Sequence, residues 1–370
     1  MFSSPPLQDI RTLASPTLVL DADIFEANLR QMIEIAGRPD RLRPHCKTHK
    51  MAEVARRELA VGVVKHKAAT IAEVEMLARE GATDVLLAYP VVGPQIQRIL
   101  ALKSAYPTLK LKVLVDDQGP ASAISAAAER AKMTIDVMVD LDVGQHRTGA
   151  APENWLSLCQ QVVGLPGLRL VGLHVYDGHN NAAASEVRQA EVDRIWKLVK
   201  QLLADLSECR LTVDEVTVGG TGSFPCWAKL ADPRIILSPG TVVFYDAGYA
   251  SRYHDLPFRP AIWLLSRVIS RPQSGKITLD AGYKAVSGDP PLEKRAIFPQ
   301  IGDAKIVAQN EEHLVLETAR ASELSPGTEI WLIPWHVCPT VALHSQVVVA
   351  KEGKIVEEWS VSARDRVLSI

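Results

Sequence analysis

The chain has 370 residues, with 41 Lys plus Arg against 43 Asp plus Glu and a formal net charge of −2. At 47% hydrophobic and 23% charged it has globular composition and ample material for a core, and its charge balance argues against nucleic acid or an anionic membrane as main partner. The longest apolar runs, such as 261–265 and 347–350, fall far short of the roughly 18 residues that span a bilayer.

The start, Met1-Phe2-Ser3-Ser4-Pro5-Pro6 with Asp9, lacks a basic segment and an apolar h-region, so a cytoplasmic protein is the expectation. The strand-like run 17–21 precedes a first helix at 23–36. From there apolar runs of strand length alternate with stretches of helical period. The predicted strands are 42–47, 63–70, 84–89, 110–116, 134–142, 169–176, 214–219 and 234–238. Between them lie predicted helices at 51–61, 71–80, 94–106, 119–131, 152–163 and 184–206, while 224–231 offers only a turn or two. Gly62, Gly81 and Pro107 stand where helices should stop. Eight such units over this length predict a closed (β/α)8 barrel, an α/β fold. An open doubly wound sheet is the alternative, and the lack of a G-x-G-x-x-G after the first strand argues against it.

Beyond about residue 255 helical periodicity gives way to short β-rich runs at 262–270, 276–280, 303–307, 313–317, 329–333, 345–350 and 355–361. The division expected is a barrel over 22–254 and a β domain over 255–370, with 1–21 packed on the latter. The five cysteines, at 46, 159, 209, 226 and 338, are odd in number, scattered and without C-x-x-C spacing, and read as reduced thiols. Cys46 neighbours Lys47 but should point to the opposite face, as a core thiol.

In a parallel barrel, catalytic groups gather at the C-terminal ends of the strands. There the sequence places Arg43-Pro44-His45-Cys46-Lys47-Thr48-His49-Lys50, the run from Asp140 through Arg147 to Gly149, and His174-Val175-Tyr176-Asp177-Gly178-His179. The last two strands end in Gly219-Gly220-Thr221-Gly222-Ser223 and Ser238-Pro239-Gly240-Thr241. Glycine backbone and hydroxyl donors there are the chemistry of a phosphate cradle, although a glycine-rich turn alone is also plain turn structure. A lysine at one strand end and a cradle across the mouth point to a phosphorylated aldehyde held as a Schiff base, hence pyridoxal phosphate on Lys47. Taken alone, Lys47 would read as a surface lysine. His336 and Cys338 follow the 329–333 strand, and in extended chain residues i and i+2 face one way, as a metal pair requires. Two ligands leave either an open catalytic metal site or no metal.

Together these runs, with His336-Val337-Cys338-Pro339, resemble the D-threonine aldolase and D-serine dehydratase family, fold-type III pyridoxal phosphate enzymes related to alanine racemase. The likeness covers the chain from about Pro16 to Val361. It implies an alanine racemase-type barrel with a C-terminal β domain, and a homodimer. It puts the Schiff base on Lys47, Arg147 beside the phenolic oxygen, His174 and Tyr176 around the ring, and the phosphate on Gly220, Thr221, Gly240 and Thr241. A divalent metal, manganese, magnesium or zinc, would sit on His336 and Cys338, with His179 as base. Lys284 and His313 resemble positions that face the site. The activity implied is retro-aldol cleavage of a D-β-hydroxy-α-amino acid to glycine and an aldehyde. The alternative is a D-serine or D-threo-3-hydroxyaspartate dehydratase, because Cys338 stands where some aldolases have Asp. A racemase would need a second acid/base that is not identifiable, a cofactor carrier would not need the β domain, and a metal hydrolase would leave Lys47 incidental.

Overall fold

The computed structural model describes Leu7, Ile10 and residues 12–370. These residues form two compact units. The first comprises Ile33–Lys47, Val54–Gly240 and Asp365–Ile370, and the second comprises the described residues up to Met32, Thr48–Glu53 and Thr241–Arg364.

In the first unit seven parallel strands follow chain order across one sheet: Lys65–Ala68, Asp84–Pro90, Lys110–Val115, Ile135–Asp140, Leu168–Val175, Glu215–Val218 and Ile235–Leu237. The expected first strand, 42–47, is not a regular strand. It makes single parallel bridges, Leu42 to Leu237 and His45 to Lys67, between 3-10 turns at Pro39–Arg41 and Cys46–Thr48. Arg43 N donates to Leu237 O and His45 N to Pro239 O, while Pro44 O accepts from Lys67 N. Pro44 has no N–H to extend a ladder, so this short segment pairs with both edges of the sheet and closes the barrel without becoming a strand. Helices alternate with the strands as the periodicity predicts, and side chains of the connecting turns cap two of them. Thr70 accepts from Glu73 N and Asp117 from Gly119 N, satisfying orphan donors at the starts of Ile71–Arg79 and Gln118–Arg130.

The barrel interior is layered. Leu86, Leu114, Met138 and Val171 form an apolar layer. Two residues earlier on their strands, Asp84 and Lys112 join Glu215 and the fully buried Arg43 in an ionic layer. Arg43 donates to Asp84 at 2.7 Å and to Glu215 at 2.9 Å, and Lys112 lies 2.7 Å from Asp84 and 3.0 Å from Glu215. Two cations against two carboxylates leave no net charge in the layer.

In the second unit the sheet runs Lys305–Gln309, Leu314–Glu317, Lys276–Leu279, Ile262–Ser270, Thr17–Asp21, Gln346–Lys351, Lys354–Ser360, and Glu329–Pro334 also pairs with Ile262–Ser270. Thr17–Asp21 lies antiparallel to Ile262–Ser270 and parallel to Gln346–Lys351, so the early run joins the C-terminal sheet as expected. Residues 1–6, 8, 9 and 11 of the expected 1–21 packing lie outside the described residues. Val19, Trp263, Leu265, Trp331, Ile333 and Val348 form the core of this sheet. Two short helices here, Ala247–Arg252 and Val337–Leu343, were not expected. Each is too short to show a hydrophobic period; the first starts where Asp246 accepts from Tyr249 N. Among the described residues no helix is long and apolar enough to cross a membrane.

Removing Arg43 would leave two buried carboxylates sharing one lysine, so Arg43→Met should destabilise the protein by about 3–5 kcal/mol in urea unfolding. Burial pushes the Asp84 carboxyl up, but the Arg43 and Lys112 charges outweigh it and hold it below its ordinary value. A lowered carboxyl contributes its stability above the ordinary carboxylate range and loses it as pH falls through the lowered value. Acid should therefore erode wild-type stability more steeply than that of Arg43→Met, which pH-dependent urea midpoints would measure.

Candidate active site

The closing segment carries three residues of one alternation, Arg43, His45 and Lys47. Arg43 is in the ionic layer, while His45 and Lys47 line a cavity of about 450 Å³. Lys47 sits in the Cys46–Thr48 turn, its N–H donating to His45 Nδ1 at 3.3 Å. Arg147, His174, Tyr176 and Lys67 complete the cavity's polar lining. Three cations ring one aromatic: the Lys47 and Lys67 amines lie 6.0 and 5.7 Å from the Tyr176 centroid and the Arg147 guanidinium 5.2 Å. His174 is buried, and its Nδ1 stands 2.6 Å from Asp140 Oδ1, while Thr148 donates to the other Asp140 oxygen. Burial lowers the His174 pKa below its ordinary value against the pull of Asp140, which favours the neutral ring. The cysteine beside Lys47 is buried and donates to Glu73, away from this lining.

The glycine loops after the last two strands are held by buried groups. Asp177 accepts from Ser223 Oγ at 2.8 Å, Trp227 Nε1 at 3.0 Å and Asn180 Nδ2 at 3.2 Å. Ser223 Oγ in turn accepts from Gly220 N, and Thr221 Oγ1 from Gly240 N. A Cβ on Gly220 would stand 3.1 Å from the Tyr176 ring, and Gly219 has φ +76° with Trp227 only 2.7 Å from where a Cβ would be. Neither position has room for a larger residue, so the backbone itself faces the Tyr176 ring. The Thr221 hydroxyl and the glycine backbone beside the Tyr176 ring, with the Lys47, Lys67 and Arg147 charges 5.2–6.0 Å from that ring, are a set that fits a phosphorylated pyridine aldehyde.

His179 is not among the lining residues of the cavity. Its Nε2 lies 2.8 Å from Glu191 Oε1, and the ring packs over Gly144, leaving no space for a Cβ there. Hydrogen bonds from Arg194, and after it His179, pull Glu191 down to about 2 against burial.

In the second unit His336 and Cys338 meet through a helix start. His336 is the extended N-cap of Val337–Leu343, and Cys338 lies in its first turn, where a continuing strand had been expected. His336 Nδ1 is 2.6 Å from Asp289 Oδ2, and Cys338 Sγ lies 3.2 Å from Thr48 Oγ1 and 3.7 Å from Thr241 Oγ1. Burial draws the His336 imidazole down, but the Cys338 and Asp289 partners raise it to about 9. An imidazole and a thiol side by side, the imidazole oriented by a carboxylate, are a donor set that fits a soft-tolerant divalent ion. Lys284, by contrast, is exposed and paired with Glu311 and Glu312.

Sequence reasoning missed Lys67 and Asp289, and named Asp140 and Asp177 only within polar runs, without a role. A usable signal existed for Lys67: in the Lys65–Ala68 strand it pairs with His45, so it shares the inward face of Lys47. Asp289 lies in a loop far from His336 in sequence and carried no signal.

Residues 20–247 match the model of the alanine racemase N-terminal domain, and residues 261–350 match that of a putative serine dehydratase domain. A D-threonine aldolase of an Arthrobacter species is 35% identical over 97% of this chain and 96% of its own length. The crystal structure of D-threonine aldolase from Filomicrobium marinum superposes with a TM-score of 0.88 at 30% identity, covering 98% of this chain and all of that one. D-threo-3-hydroxyaspartate dehydratase from Delftia sp. HT23 follows at 0.84 and 26%, covering 95% and 99%. By both domains and by likeness over its whole length, the chain belongs to the alanine racemase-like, fold-type III family of pyridoxal phosphate enzymes, among the D-threonine aldolases and their dehydratase relatives.

Proposed function

We propose that this protein is a lyase that cleaves D-β-hydroxy-α-amino acids, D-threonine being the model substrate, to glycine and an aldehyde, using pyridoxal phosphate and a divalent metal. The observation that carries the choice of reaction is the likeness to D-threonine aldolase over nearly the full length of both chains. The division of labour proposed is that 22–254 bind the cofactor and 255–370 carry the metal pair, in a cytoplasmic homodimer of the kind that the family resemblance implies.

Pyridoxal phosphate supplies an electron sink for a bond broken at Cα. Lys47 Nζ holds it covalently in this reading, and its neighbours divide the rest of the binding. Gly220, Thr221, Gly240 and Thr241 would cradle the phosphate, Arg147 would offer a fixed positive charge to the phenolic oxygen, and Tyr176 and His174 would flank the ring. His336 and Cys338 would hold the metal, manganese, magnesium or zinc, whose charge would make the substrate's β-hydroxyl more acidic. His179 takes the β-hydroxyl proton on a ring nitrogen, its imidazole aligned by Glu191.

A second reading, dehydration of D-serine or D-threo-3-hydroxyaspartate, is favoured by one observation: the 338 ligand is a thiol, the pairing the resemblance associates with dehydratases. Product analysis separates the two. With D-threonine, pyridoxal phosphate and a divalent metal, the aldolase yields acetaldehyde and glycine, whereas 2-oxobutanoate and ammonia would mean the dehydratase.

Lys47→Ala should bind no cofactor covalently and lose activity by a factor on the order of 10³ or more, since both the anchoring amine and its proton transfer go. Hydrolysis by that variant without cofactor would overturn the reading. Chelation should abolish turnover, with return on adding metal. Asp289→Ala, by freeing the His336 ring, should weaken metal binding by about 10–100-fold in a direct titration. Unchanged metal affinity would show that the Asp289 contact does not support metal binding.

A further inference from the structure

Cys46 and Glu73 have no role in the reading above, and His45 serves there only as cavity lining. His45 bridges to Lys67 where the barrel closes, and the Cys46–Thr48 turn begins at the next residue. In a continuing strand the two neighbouring side chains would point to opposite faces. With the turn between them they converge, and Glu73, from the first turn of Ile71–Arg79, joins both. Each of the three offers one metal-ligand atom, and these atoms lie within 4.8 Å of one another. Cys46 Sγ donates to Glu73 Oε2 at 3.4 Å, close to the roughly 3.5 Å that separates neighbouring ligand atoms on a tetrahedral zinc. All three residues are buried. His45 lines the 450 Å³ cavity, as does Ala69, whose N–H donates to the same Glu73 oxygen at 2.6 Å. The cluster thus lies against that wall, which gives an ion its way in.

We propose that His45, Cys46 and Glu73 form a second metal site, separate from the His336–Cys338 pair, for a thiophilic divalent ion of the zinc class. The donors select the ion: thiolate and imidazole suit zinc, whereas magnesium and calcium take oxygen. Charge favours it as well. One thiolate and one carboxylate neutralise a divalent cation, so the loaded cluster buries no net charge.

Binding exchanges a proton for the ion: a bond forms from Sγ to the metal, the thiol proton leaves to solvent, and nothing is oxidised or reduced. The hydrogen bond from the thiol to Glu73 is the ion-free form of the same contact. Glu73 keeps its bond from Ala69 N, which orients the carboxylate as outer partners do at metal sites. Three protein ligands leave a fourth position to water. His45 and Cys46 belong to the segment that closes the barrel and Glu73 to the helix after the next strand, so the ion ties closure to that helix. None of this rests on the reaction proposed above.

The test uses full-length, cofactor-loaded protein carrying His336→Ala and Cys338→Ser, so that the other pair contributes neither imidazole nor thiolate. After chelation and equilibrium dialysis against low-micromolar zinc, this protein should hold one zinc per chain, and zinc-edge X-ray absorption should show one sulfur neighbour at about 2.3 Å. Adding Cys46→Ser should remove that sulfur. Adding Glu73→Gln, which keeps an oxygen for Ala69 N, should weaken zinc by at least the roughly 10–100-fold that loss of an outer partner costs. Zinc should also raise the thermal midpoint of the background protein by several degrees, and much less after Glu73→Gln, because an ion bound only to the folded state stabilises it. No bound zinc, zinc without a sulfur neighbour, or a sulfur neighbour that survives Cys46→Ser each overturns the inference. Should Cys46→Ser not fold, Glu73→Gln decides, and unchanged zinc affinity in that variant overturns it equally. Failure here leaves the readings of Lys47 and of the His336–Cys338 pair standing, since neither enters the measurement.

Discussion

Everything in the first unit depends on how residues 42–45 close the sheet. A parallel barrel has no spare edge: some piece of chain must satisfy the N–H and C=O groups of both its first and last strands. Here the piece is four residues long, interrupted by Pro44, and bonded to Leu237, Pro239 and Lys67. Because side chains alternate, closing the sheet also aims Arg43 and His45 inward, and the turn that follows brings Lys47 to the same cavity as His45. Closure, the interior charge layer and the placing of the Lys47 amine are thus one event in the chain.

The interior then has a graded character. An ionic layer of Arg43, Asp84, Lys112 and Glu215 underlies an apolar layer of Leu86, Leu114, Met138 and Val171, and above it come Lys67, Asp140 and His174. The two polar layers differ in their partners. Every charge in the lower one has a partner within 3.0 Å, which makes it structural. In the upper one Asp140 is bonded to His174 and Thr148, and the Lys67 amine faces the Tyr176 ring.

The eight-unit alternation, the change of texture after residue 255 and the pairing of 17–21 with the later sheet were legible because periods of two and of about 3.6 survive in a single sequence. The regularity of the first strand was not: 42–47 has strand composition, but pairing with two edges through Pro44 is a tertiary outcome. The Ala247–Arg252 and Val337–Leu343 helices are likewise set by caps and contacts, not by period. Polar clusters at strand ends marked the neighbourhood of Lys47, Arg147, His174 and Tyr176, and the cavity gathers those four. What composition could not convey was partnership across distance. Glu191 orients His179, Asp289 orients His336 and Asp177 holds the 219–223 loop, and each link joins separate stretches of chain that only folding brings together.

The Asp177 latch has a consequence for how the protein could vary. Its three donors come from Ser223, Trp227 and Asn180, all groups of the protein itself. Because the latch is buried and made wholly of protein groups, the loop's shape is set before any ligand arrives, and little ordering entropy is left to lose on binding. Grip on any ligand that the loop meets could thus be tightened or relaxed by residues such as Trp227, which bond to the latch itself.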